Sequence, residues 1–519
     1  MTNRDIEAAW NYHNATKHSV ARLRANPHSL DWENKPRPFK VYPNLEPIPL
    51  PREVPMAAVP ALTAVAQEKV TSGDRPVIPD LVSLARLLHF SAGITRRRVY
   101  ADGEETHFRA AACTGALYHI DLYVICGDLP GLSAGIYHFG PHNFALHQLR
   151  AGDYRGAVVD ATGMEPSVQH APAILVCTST YWRNSWKYQA RTYRHCFWDC
   201  GTLLANLLAV TAADSLPRRI VCGFVDDRIN ALLGVDAARE AALVLVSLGY
   251  DPLSTPPASA AVPPLSLETL PLSPHEVDYP LIREMHAASS LGTGDDVRSW
   301  HAAASASNAV PRRAASRQPF PLRSVQDREI PADSLDEVIM RRGSTRRFSH
   351  QPIGFGQLSA ILRCASSGVP SDFGECATGT YLILSAVDDL PPGAYAYCRA
   401  DAAIDLLRAG SFRREAGYLG LGQELPADAC VNIYFLAHLE PTLARLGNRG
   451  YRVAQLDAAI RGGKCYLAAY ALGLGATGLT FFDDEVTDFF SPDAAGKDVM
   501  FLVAVGRSKK TPARQGLEP

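Results

Sequence analysis

The segment RTYRHCFWD, residues 191–199, returns as RGYRVAQLD at residues 449–457, which is 258 positions later. The same spacing relates the sequence from about Tyr123 to Asp199 to the sequence that begins at Tyr381. Identities held in one register over such a length indicate two copies of a domain, because solenoid repeats have far shorter periods. Two homologous domains on one chain can pair as the subunits of a two-fold dimer do. The sequence therefore predicts a pseudo-dimer within one chain.

Composition narrows the class of protein. The chain has 519 residues, of which 47% are hydrophobic and 20% are charged, with a net charge of −2. These values are typical of a globular protein with a large core, and they give no indication of nucleic-acid binding. No run reaches the length of a membrane helix, and the N-terminus MTNRDIEAAW has no apolar signal region. We expect a cytoplasmic protein whose 11 scattered cysteines are free thiols.

Composition shifts along the chain predict four segments. Residues 1–55 are polar and then proline-rich, which favours an extended arm lying on the body. Residues 56–252 form the first domain, 253–325 an Ala/Ser/Pro-rich linker, and 326–519 the second domain.

Hydrophobic patterning predicts separate strands and helices in each copy. The predicted helices are Leu81–Gly93, Tyr193–Ala213 and Gln357–Ser366, and the predicted strands are Leu122–Cys126, Ala173–Cys177 and Ala241–Leu248. Because the strands do not alternate regularly with helices, the expected class is α+β. A Rossmann nucleotide site lacks support, since no G-x-G-x-x-G follows a strand.

An arginine-rich segment, RRGSTRRF at 341–348, carries the strongest chemical signal. Arginine donates planar, bidentate hydrogen bonds to oxygen-rich anions, and Ser or Thr hydroxyls complete such a shell. By composition alone, a phosphate cradle and a solvated strand edge are equally good interpretations.

This segment, placed before a helix, resembles the flavin-binding signature of the FMN-dependent nitroreductase family. The segments RAAACTGALY at 109–118 and KYQARTYR at 187–194 are similar to motifs of its SagB/ThcOx-type dehydrogenase branch. The resemblance covers roughly residues 10–250 and 330–506. It implies two α/β/α domains that form an intertwined pair, with FMN between them.

The resemblance also implies the residues that would bind FMN. Arg342 is expected at the phosphate or ribityl chain with Ser344, and Arg346 at the pyrimidine edge, where a cation favours the reduced ring. The implied cofactor-binding set is Arg342, Gly343, Ser344 and Arg346, the loop Ala112, Cys113, Thr114 and Gly115, the turn Thr480 and Phe481, and the tail residue Arg507.

Lys187 and Tyr188 are the implied catalytic pair. Enzymes of this branch oxidise thiazoline and oxazoline rings to azoles, which requires a base for the ring proton. An unperturbed lysine has a pKa near 10.4, so Lys187 would need burial or nearby cations to act. Arg183 and Arg191, at i−4 and i+4, would supply these cations if the segment is one helix. Tyr181, Trp182 and Trp186 are expected to form an aromatic wall; a surface lysine beside core aromatics is the alternative.

The two copies differ in complementary ways. Arg342, Ser344 and Arg346 align with Glu68, Val70 and Ser72, whereas Lys187 and Tyr188 align with Arg445 and Leu446. The first copy has therefore lost the arginine cradle, and the second has lost the catalytic pair. We expect a single FMN shared by the two domains, and a second, pseudo-symmetric site that is vacant.

Features that both copies keep have a structural interpretation. The shared R-x-Y-R-x4-D motif is expected to form an inter-domain ion-pair scaffold, and Asp226-Asp227 and Asp483-Asp484 to cap helices. The histidines His89, His107, His119 and His138 show no shared metal spacing, so no metal site is expected.

Three functions remain open at this level. The first is FMN-dependent azoline oxidation on a peptide or other natural product, with a cyclodehydratase or another biosynthetic enzyme as partner. The second is an NAD(P)H-dependent nitro or quinone reductase. The third is a flavin-binding protein without turnover. Further association of chains is also possible.

Overall fold

The computed structural model describes residues 2–68, 75–100, 103, 105–253, 255–258, 261–306, 319–324, 331–374, 376 and 378–509. We call the elements up to residue 252 the first half and those from residue 280 the second half. The helices are α1 Glu7–Ala15, α2 Val20–Ala25, α3 Ala61–Ala66, α4 Leu81–Ala92, α5 Arg155–Ala161, α6 Pro166–Gln169, α7 Tyr181–Tyr188, α8 Thr192–Ala213, α9 Asp226–Leu233, α10 Pro280–Ala288, α11 Gly294–Ser305, α12 Leu335–Arg341, α13 Phe355–Ser366, α14 Arg413–Leu419, α15 Glu424–Asp428, α16 Leu439–Leu446, α17 Arg449–Ala471 and α18 Asp483–Phe490.

The strands are β1 Pro47–Pro49, β2 Ile94–Val99, β3 Glu105–Arg109, β4 Ile120–Cys126, β5 Gly135–Gly140, β6 Ala145–Ala151, β7 Ala173–Thr180, β8 Arg218–Val221, β9 Glu240–Leu248, β10 Pro319–Pro321, β11 Phe348–Ser349, β12 Thr378–Leu384, β13 Gly393–Cys398, β14 Ala403–Ala409, β15 Val431–Ala437, β16 Gly475–Leu479 and β17 Asp498–Ser508. The helices and strands predicted from the hydrophobic pattern all lie on these elements.

The two halves contain sheets with the same strand order. The first sheet runs β1-β6-β5-β4-β7-β9-β8, and the second runs β10-β14-β13-β12-β15-β17, with β16 also paired to β17. Each begins with a Pro-x-Pro edge strand, a position that tolerates proline because its N–H side needs no partner. Strands such as β4 are buried along their whole length, since helices cover both sheet faces. The expected α+β class with two equivalent domains is confirmed.

Helices α8 and α17 form the seam between the halves, which is the contact surface that we refer to below. Both are buried over nearly their whole length. A methyl group added at Gly201 would lie 2.5 Å from Cβ of Ala459, and one added at Gly463 would lie 2.5 Å from Cβ of Ala205. Each contact joins positions 258 apart, so the helices cross on their own equivalents. Small residues at this crossing let the two backbones approach closely.

Reciprocal ion pairs fasten the seam. Arg449 and Arg452 donate to Asp226 at 2.7 and 2.8 Å, and Arg191 and Arg194 donate to Asp483 at 3.1 and 2.5 Å. The inter-domain role expected for the arginines is confirmed. The capping role expected for the aspartates Asp226 and Asp483 is wrong, because neither is an N-cap residue and both carboxylates face guanidinium groups of the other half. Removing one partner of such a buried pair costs about 3–5 kcal/mol.

The proposed arm, residues 1–55, is not simply extended. It begins with α1 and α2, and it is held by the seam arginines: Arg194 donates to the His13 carbonyl at 2.7 Å and to Thr16 Oγ1 at 3.0 Å. The proposed linker, 253–325, contains α10 and α11 and is held in the same way. Arg452 donates to the His286 carbonyl at 2.8 Å and to Ser289 Oγ at 2.8 Å. Residues 280–305 thus occupy, beside the second half, the place that the N-terminal arm occupies beside the first.

One helical stretch, Tyr181–Ala213, is long and apolar enough to cross a membrane, but 94% of its apolar window is buried inside the protein. Its apolar character is explained by the seam, since α8 packs against α17. The 11 cysteines are thiols, as expected.

The buried histidines of the two arms predict a loss of stability in acid. Burial lowers the pKa of His13 to about 4 and that of His286 to about 3, so both rings stay neutral in the folded protein. In the unfolded chain they bind protons below about pH 6.5, so stability is complete above that pH and falls as the pH drops towards the folded pKa values. Between pH 7.5 and 5 we expect each ring to cost about 2 kcal/mol.

Urea unfolding at pH 7.5, 6 and 5 measures this effect, and His286→Gln should reduce the dependence on pH. An equal slope in the variant would contradict the assignment.

Candidate active site at the seam

The loop 112–118 of the first half is held by one carboxylate. Asp199 Oδ1 accepts from the Thr114 N–H and hydroxyl at 2.8 and 2.7 Å, and Asp199 Oδ2 accepts from Cys113 Sγ at 3.0 Å and His119 Nε2 at 2.9 Å. The Ala112 carbonyl accepts from Thr202 Oγ1 on α8. Four hydrogen bonds to a single carboxylate fix this loop firmly. Asp199 is therefore a loop anchor, and its expected place in the inter-domain ion pairs is wrong.

Cys113, His119 and Asp199 also form a group of metal-ligating side chains. Their ligand atoms all lie within 4.8 Å of one another, and His119 Nδ1 is bonded to Ser179 Oγ at 2.8 Å. Sequence spacing did not indicate this cluster, since the residues come from three separate elements. The carboxylate is already used by four donors, and burial together with Asp199 raises the pKa of the Cys113 thiol, which keeps it protonated. The geometry supports a hydrogen-bonded anchor.

Gly115 packs against the side chain of Tyr188. Gly115 has a φ of +63°, and a methyl group added there would lie 2.8 Å from the Tyr188 hydroxyl, so both backbone shape and space require glycine. Tyr188 ends α7, because Gln189 has a φ of +50°. The ring of Tyr188 meets the ring of His195 edge-on at 4.6 Å. Burial raises the pKa of Tyr188, so its hydroxyl remains protonated.

Lys187 lies beside Tyr188, with Nζ 5.4 Å from the centre of that ring, and it is half-buried. The two arginines expected to act on it are engaged elsewhere. Arg183 donates to Asp121 at 2.9 Å, and Arg191 pairs with Asp483 at 3.1 Å. The expectation that both share a helical face with Lys187 is wrong for Arg191, because the helix breaks at Gln189.

The expected aromatic wall is core. Tyr181, Trp182 and Trp186 are all buried, and the last two form a small cluster with Leu272. The Trp186 indole donates to the Asp31 carbonyl of the arm at 2.8 Å. In this neighbourhood it is Trp32, on the arm, that is exposed.

The second half brings its arginine segment to the same loop. Arg342 donates from Nε to the Ala110 carbonyl at 2.8 Å and from Nη2 to the Arg109 carbonyl at 3.0 Å. A third hydrogen bond, from Nη1, reaches the carbonyl of Gly343, its neighbour in the chain. Arg342 therefore clamps the first-half loop to the second half across the seam. Arg341 instead pairs with Asp333 within its own half.

Arg346 carries a positive charge that no described residue neutralises. Its side chain is exposed, and no hydrogen bond or ion pair joins it to any residue in the described ranges. It lies near enough to Tyr188 of the first half to oppose the rise in the pKa of that hydroxyl. Ser344 is half-buried beside it in sequence. Arg346 of the second half lies near Tyr188, which packs against Gly115 of the 112–115 loop; we call this place the seam site.

The remaining residues predicted to bind the cofactor, Thr480, Phe481 and Arg507, differ in their exposure and contacts. Thr480 is half-buried, and its Oγ1 lies 3.3 Å from His18 Nδ1; within the described part of the chain, nothing accepts its backbone N–H. Phe481 is completely buried against Trp198. Arg507 is exposed and donates to the Pro352 carbonyl at 2.9 Å.

The pseudo-symmetric counterpart of the seam site is filled by its own side chains. Asp372 accepts from the N–H groups of Cys222 and Gly223 at 2.9 and 2.7 Å and from His301 Nε2 at 3.0 Å. Gly223 is the equivalent of Thr480. Glu68, the equivalent of Arg342, accepts from the Gly368 N–H at 2.5 Å, whereas Val70 and Ser72 lie outside the described residues. The Asp372 carboxylate, which is also hydrogen-bonded to the His301 imidazole, thus occupies the backbone donors of the counterpart.

Sequence reasoning missed two histidines near the seam site, His18 and His195, and it considered His119 only as a possible metal ligand. Burial, then Arg191, lowers the pKa of His18 to about 3, and burial lowers the pKa of His195 well below its usual value. The second half has Leu291 and Val453 at the places of His18 and His195, while Ala377, the equivalent of His119, lies outside the described residues. Comparing the two copies position by position would have revealed this difference.

Comparisons with known proteins agree with this architecture. Residues 339–507 match the model of the nitroreductase family. The "Putative nitroreductase MJ1384" of Methanocaldococcus jannaschii is 22% identical over 169 residues, which are 33% of this chain and 80% of that protein. A crystal structure of a "putative nitroreductase" from Anabaena variabilis is 25% identical, covers 97% of this chain and 99% of its own, and has a TM-score of 0.75.

A "putative nitroreductase" from Ralstonia eutropha covers 44% of this chain and 100% of its own, at 19% identity and a TM-score of 0.33. The family model covers the second half, where the arginine segment lies, and the Anabaena structure extends the same fold over nearly the whole chain. Residues 339–507 therefore form a nitroreductase-family domain. The chain as a whole has the fold of nitroreductase-type flavin oxidoreductases.

Proposed function

We propose that this protein is an FMN-dependent dehydrogenase that oxidises thiazoline or oxazoline rings of a peptide natural product to azoles, with a single FMN at the seam site. The observations that carry the proposal are that Lys187 lies beside Tyr188, that Tyr188 packs against Gly115 of the 112–115 loop, and that Arg346 of the other half is near enough to act on Tyr188. The implied partner is the class of enzyme that makes such rings, a cyclodehydratase. We also infer that the two halves arose by tandem duplication, since their elements and arms correspond in order.

The residues at the seam site fit a planar, anionic cofactor. Arg346 offers a guanidinium that no described residue pairs, and Thr480 offers a backbone N–H that no described residue accepts. The 112–115 loop, fixed by Asp199, lies against Tyr188 at Gly115. Arg342 would support the cofactor indirectly by holding this loop against the second half.

Bound FMN would supply a two-electron acceptor for the hydride that leaves the azoline ring. Lys187 would remove the proton from the adjacent ring carbon, and Tyr188, protonated because burial raises its pKa, would donate a hydrogen bond to the substrate. Buried aromatic side chains behind α7 would exclude water from this position.

The counterpart of the seam site would not bind a second flavin. Asp372 occupies its backbone donors, Glu68 places a negative charge where Arg342 places a positive one, and Leu446 stands in place of Tyr188. Lys464, which replaces Asn206, is buried there with three hydrogen bonds to Ser367 and Gly368.

We therefore expect one FMN per polypeptide. The measurement is the absorption spectrum of purified protein, with released flavin quantified against chain concentration. Two flavins per chain would contradict the single composite site, and the absence of flavin after reconstitution with FMN would contradict the proposed function.

Arg346→Ala should weaken FMN binding by about tenfold to a hundredfold, because an interaction with a charged partner is lost. Arg341→Ala is the matched control, since that arginine is paired with Asp333 and should leave affinity unchanged. Titration of apoprotein with FMN, followed by flavin fluorescence, compares the two. Equal losses in both variants would show that general positive charge, and not the seam site, governs binding.

The alternative function, an NAD(P)H-dependent nitro or quinone reductase, differs from the proposed dehydrogenase in the compound that reduces the flavin. Rapid bleaching of the bound flavin by NADH or NADPH, with no reaction towards an azoline-containing peptide, would support the reductase and reject the dehydrogenase. A flavin that responds to neither would indicate a binding protein without turnover.

A further inference from the structure

The two arms are anchored through equivalent backbone contacts. The His18 N–H donates to Asp483 at 2.8 Å, and the Asp483 N–H donates back to the His18 carbonyl at 3.3 Å. In the second arm the Leu291 N–H donates to Asp226 at 3.0 Å, and the Asp226 N–H donates to the Leu291 carbonyl at 3.3 Å. The two positions are equivalent, since His13 and His286 precede them by the same five residues.

Anchoring therefore does not require an imidazole. Leucine makes the same pair of backbone contacts in the second arm, so the side chain of His18 must be explained by what it faces. It faces Thr480, whose Oγ1 lies 3.3 Å from His18 Nδ1. Thr480 belongs to the turn that carries the unaccepted N–H at the seam site.

The counterpart position shows a different arrangement. Gly223 stands for Thr480 and has no hydroxyl, and the imidazole near it, His301, comes from α11 and is bonded to Asp372. A histidine paired with a threonine hydroxyl is therefore specific to the seam site and has no equivalent at its counterpart. Because burial lowers its pKa to about 3, the His18 ring is neutral and can both donate and accept a hydrogen bond.

We propose that His18 is a positioning residue of the seam site, supplied by the N-terminal arm, which holds the Thr480 turn in the orientation that a bound flavin requires. The inference rests on the proposed function. It makes the arm part of the active site, so that a correctly seated arm is a condition for turnover as well as for stability.

The second arm provides matched substitutions. His18→Leu introduces the residue found at the equivalent place, Leu291. Lys17→Ser, the control, introduces the equivalent of Ser290; it removes the contacts of Lys17 with Asp484 at 2.7 Å and Asp498 at 3.5 Å without altering the seam site. His18→Gln keeps a group that donates and accepts.

We expect His18→Leu to bind one flavin, to shift its absorption spectrum and midpoint potential, and to lower kcat about five- to tenfold with KM changed less than twofold, as for loss of one hydrogen bond. His18→Gln should recover part of kcat and most of the spectrum. Lys17→Ser should match the wild type in spectrum and kcat. Limited proteolysis should cut the arm at equal rates in all four proteins.

The proposal is overturned if His18→Leu has the wild-type spectrum, potential and kcat, or if Lys17→Ser reproduces its losses, which would assign the effect to arm docking. Should His18→Leu fail to fold, an unchanged spectrum and an unchanged kcat in His18→Ala would overturn it as well. A wild-type protein that takes up no FMN contradicts the proposed function itself, which is a separate and recognisable result.

Discussion

Lys187→Ala is expected to reduce azoline oxidation by about a hundredfold to ten-thousandfold while the protein keeps its flavin. The side chain lies at the end of α7 beside Tyr188, and the described contacts assign it no structural ion pair. Removing it should therefore leave the fold intact and take away the group that accepts the ring proton. The measurement is product formation from an azoline-containing peptide, with flavin content and thermal stability determined on the same sample.

Arg445→Ala is the matched control for this experiment. Arg445 is the equivalent of Lys187 at the end of α16, where it donates to the Ala304 carbonyl at 3.1 Å. It lies at the counterpart of the seam site, so its loss should leave oxidation unchanged. Wild-type turnover in Lys187→Ala, or an equal loss in Arg445→Ala, would exclude Lys187 as the base.

Gly463→Val should destabilise the protein by about 3 kcal/mol or more, because the added side chain enters the crossing of α8 and α17. Even a methyl group there would lie 2.5 Å from Cβ of Ala205 and 3.0 Å from Cα of Thr202. The backbones cannot separate without disturbing the buried ion pairs of Asp226 and Asp483. Urea unfolding monitored by tryptophan fluorescence gives the free-energy difference.

A volume-conserving exchange tests the cause. Gly463→Ala alone should destabilise, whereas Gly463→Ala combined with Ala205→Gly should recover most of the loss, since one methyl group is moved across the same contact. Failure of the exchange to recover stability would mean that the cost arises elsewhere, for example from Thr202.

The register of 258 residues was sufficient to predict the equivalent sheets, because β4 and β12, or β7 and β15, are related by that single offset. Long apolar periodicity likewise predicted α8. The arms were missed because their spacing is 273, they share few identities, and their helices are fixed by tertiary contacts such as Arg194 with the His13 carbonyl. Local propensity does not contain such contacts.

The site was predictable in outline, and its details were not. Sequence resemblance selected the arginine segment and Lys187, and comparing copies indicated which half supplies each. The sequence could not show that the Arg342 guanidinium donates its hydrogen bonds to backbone carbonyl groups. It also could not show that the positive φ of Gln189 ends the helix, so that Arg191 does not share a helical face with Lys187. Nor could it show that Asp372 enters the counterpart, since that depends on a loop approaching from the opposite half.

The helix crossing also has a consequence for which halves can associate. At each of its two tight points one partner has glycine and the other alanine, and the assignment alternates between the points. In a pair of two first halves Ala205 would face Ala205 of the other copy, and in a pair of two second halves Ala459 would face Ala459. The separation of the helices at these points leaves no room for two methyl groups. Identical halves should therefore associate weakly. If the two halves were expressed as separate chains, we expect the first half to bind the second half in preference to another copy of itself.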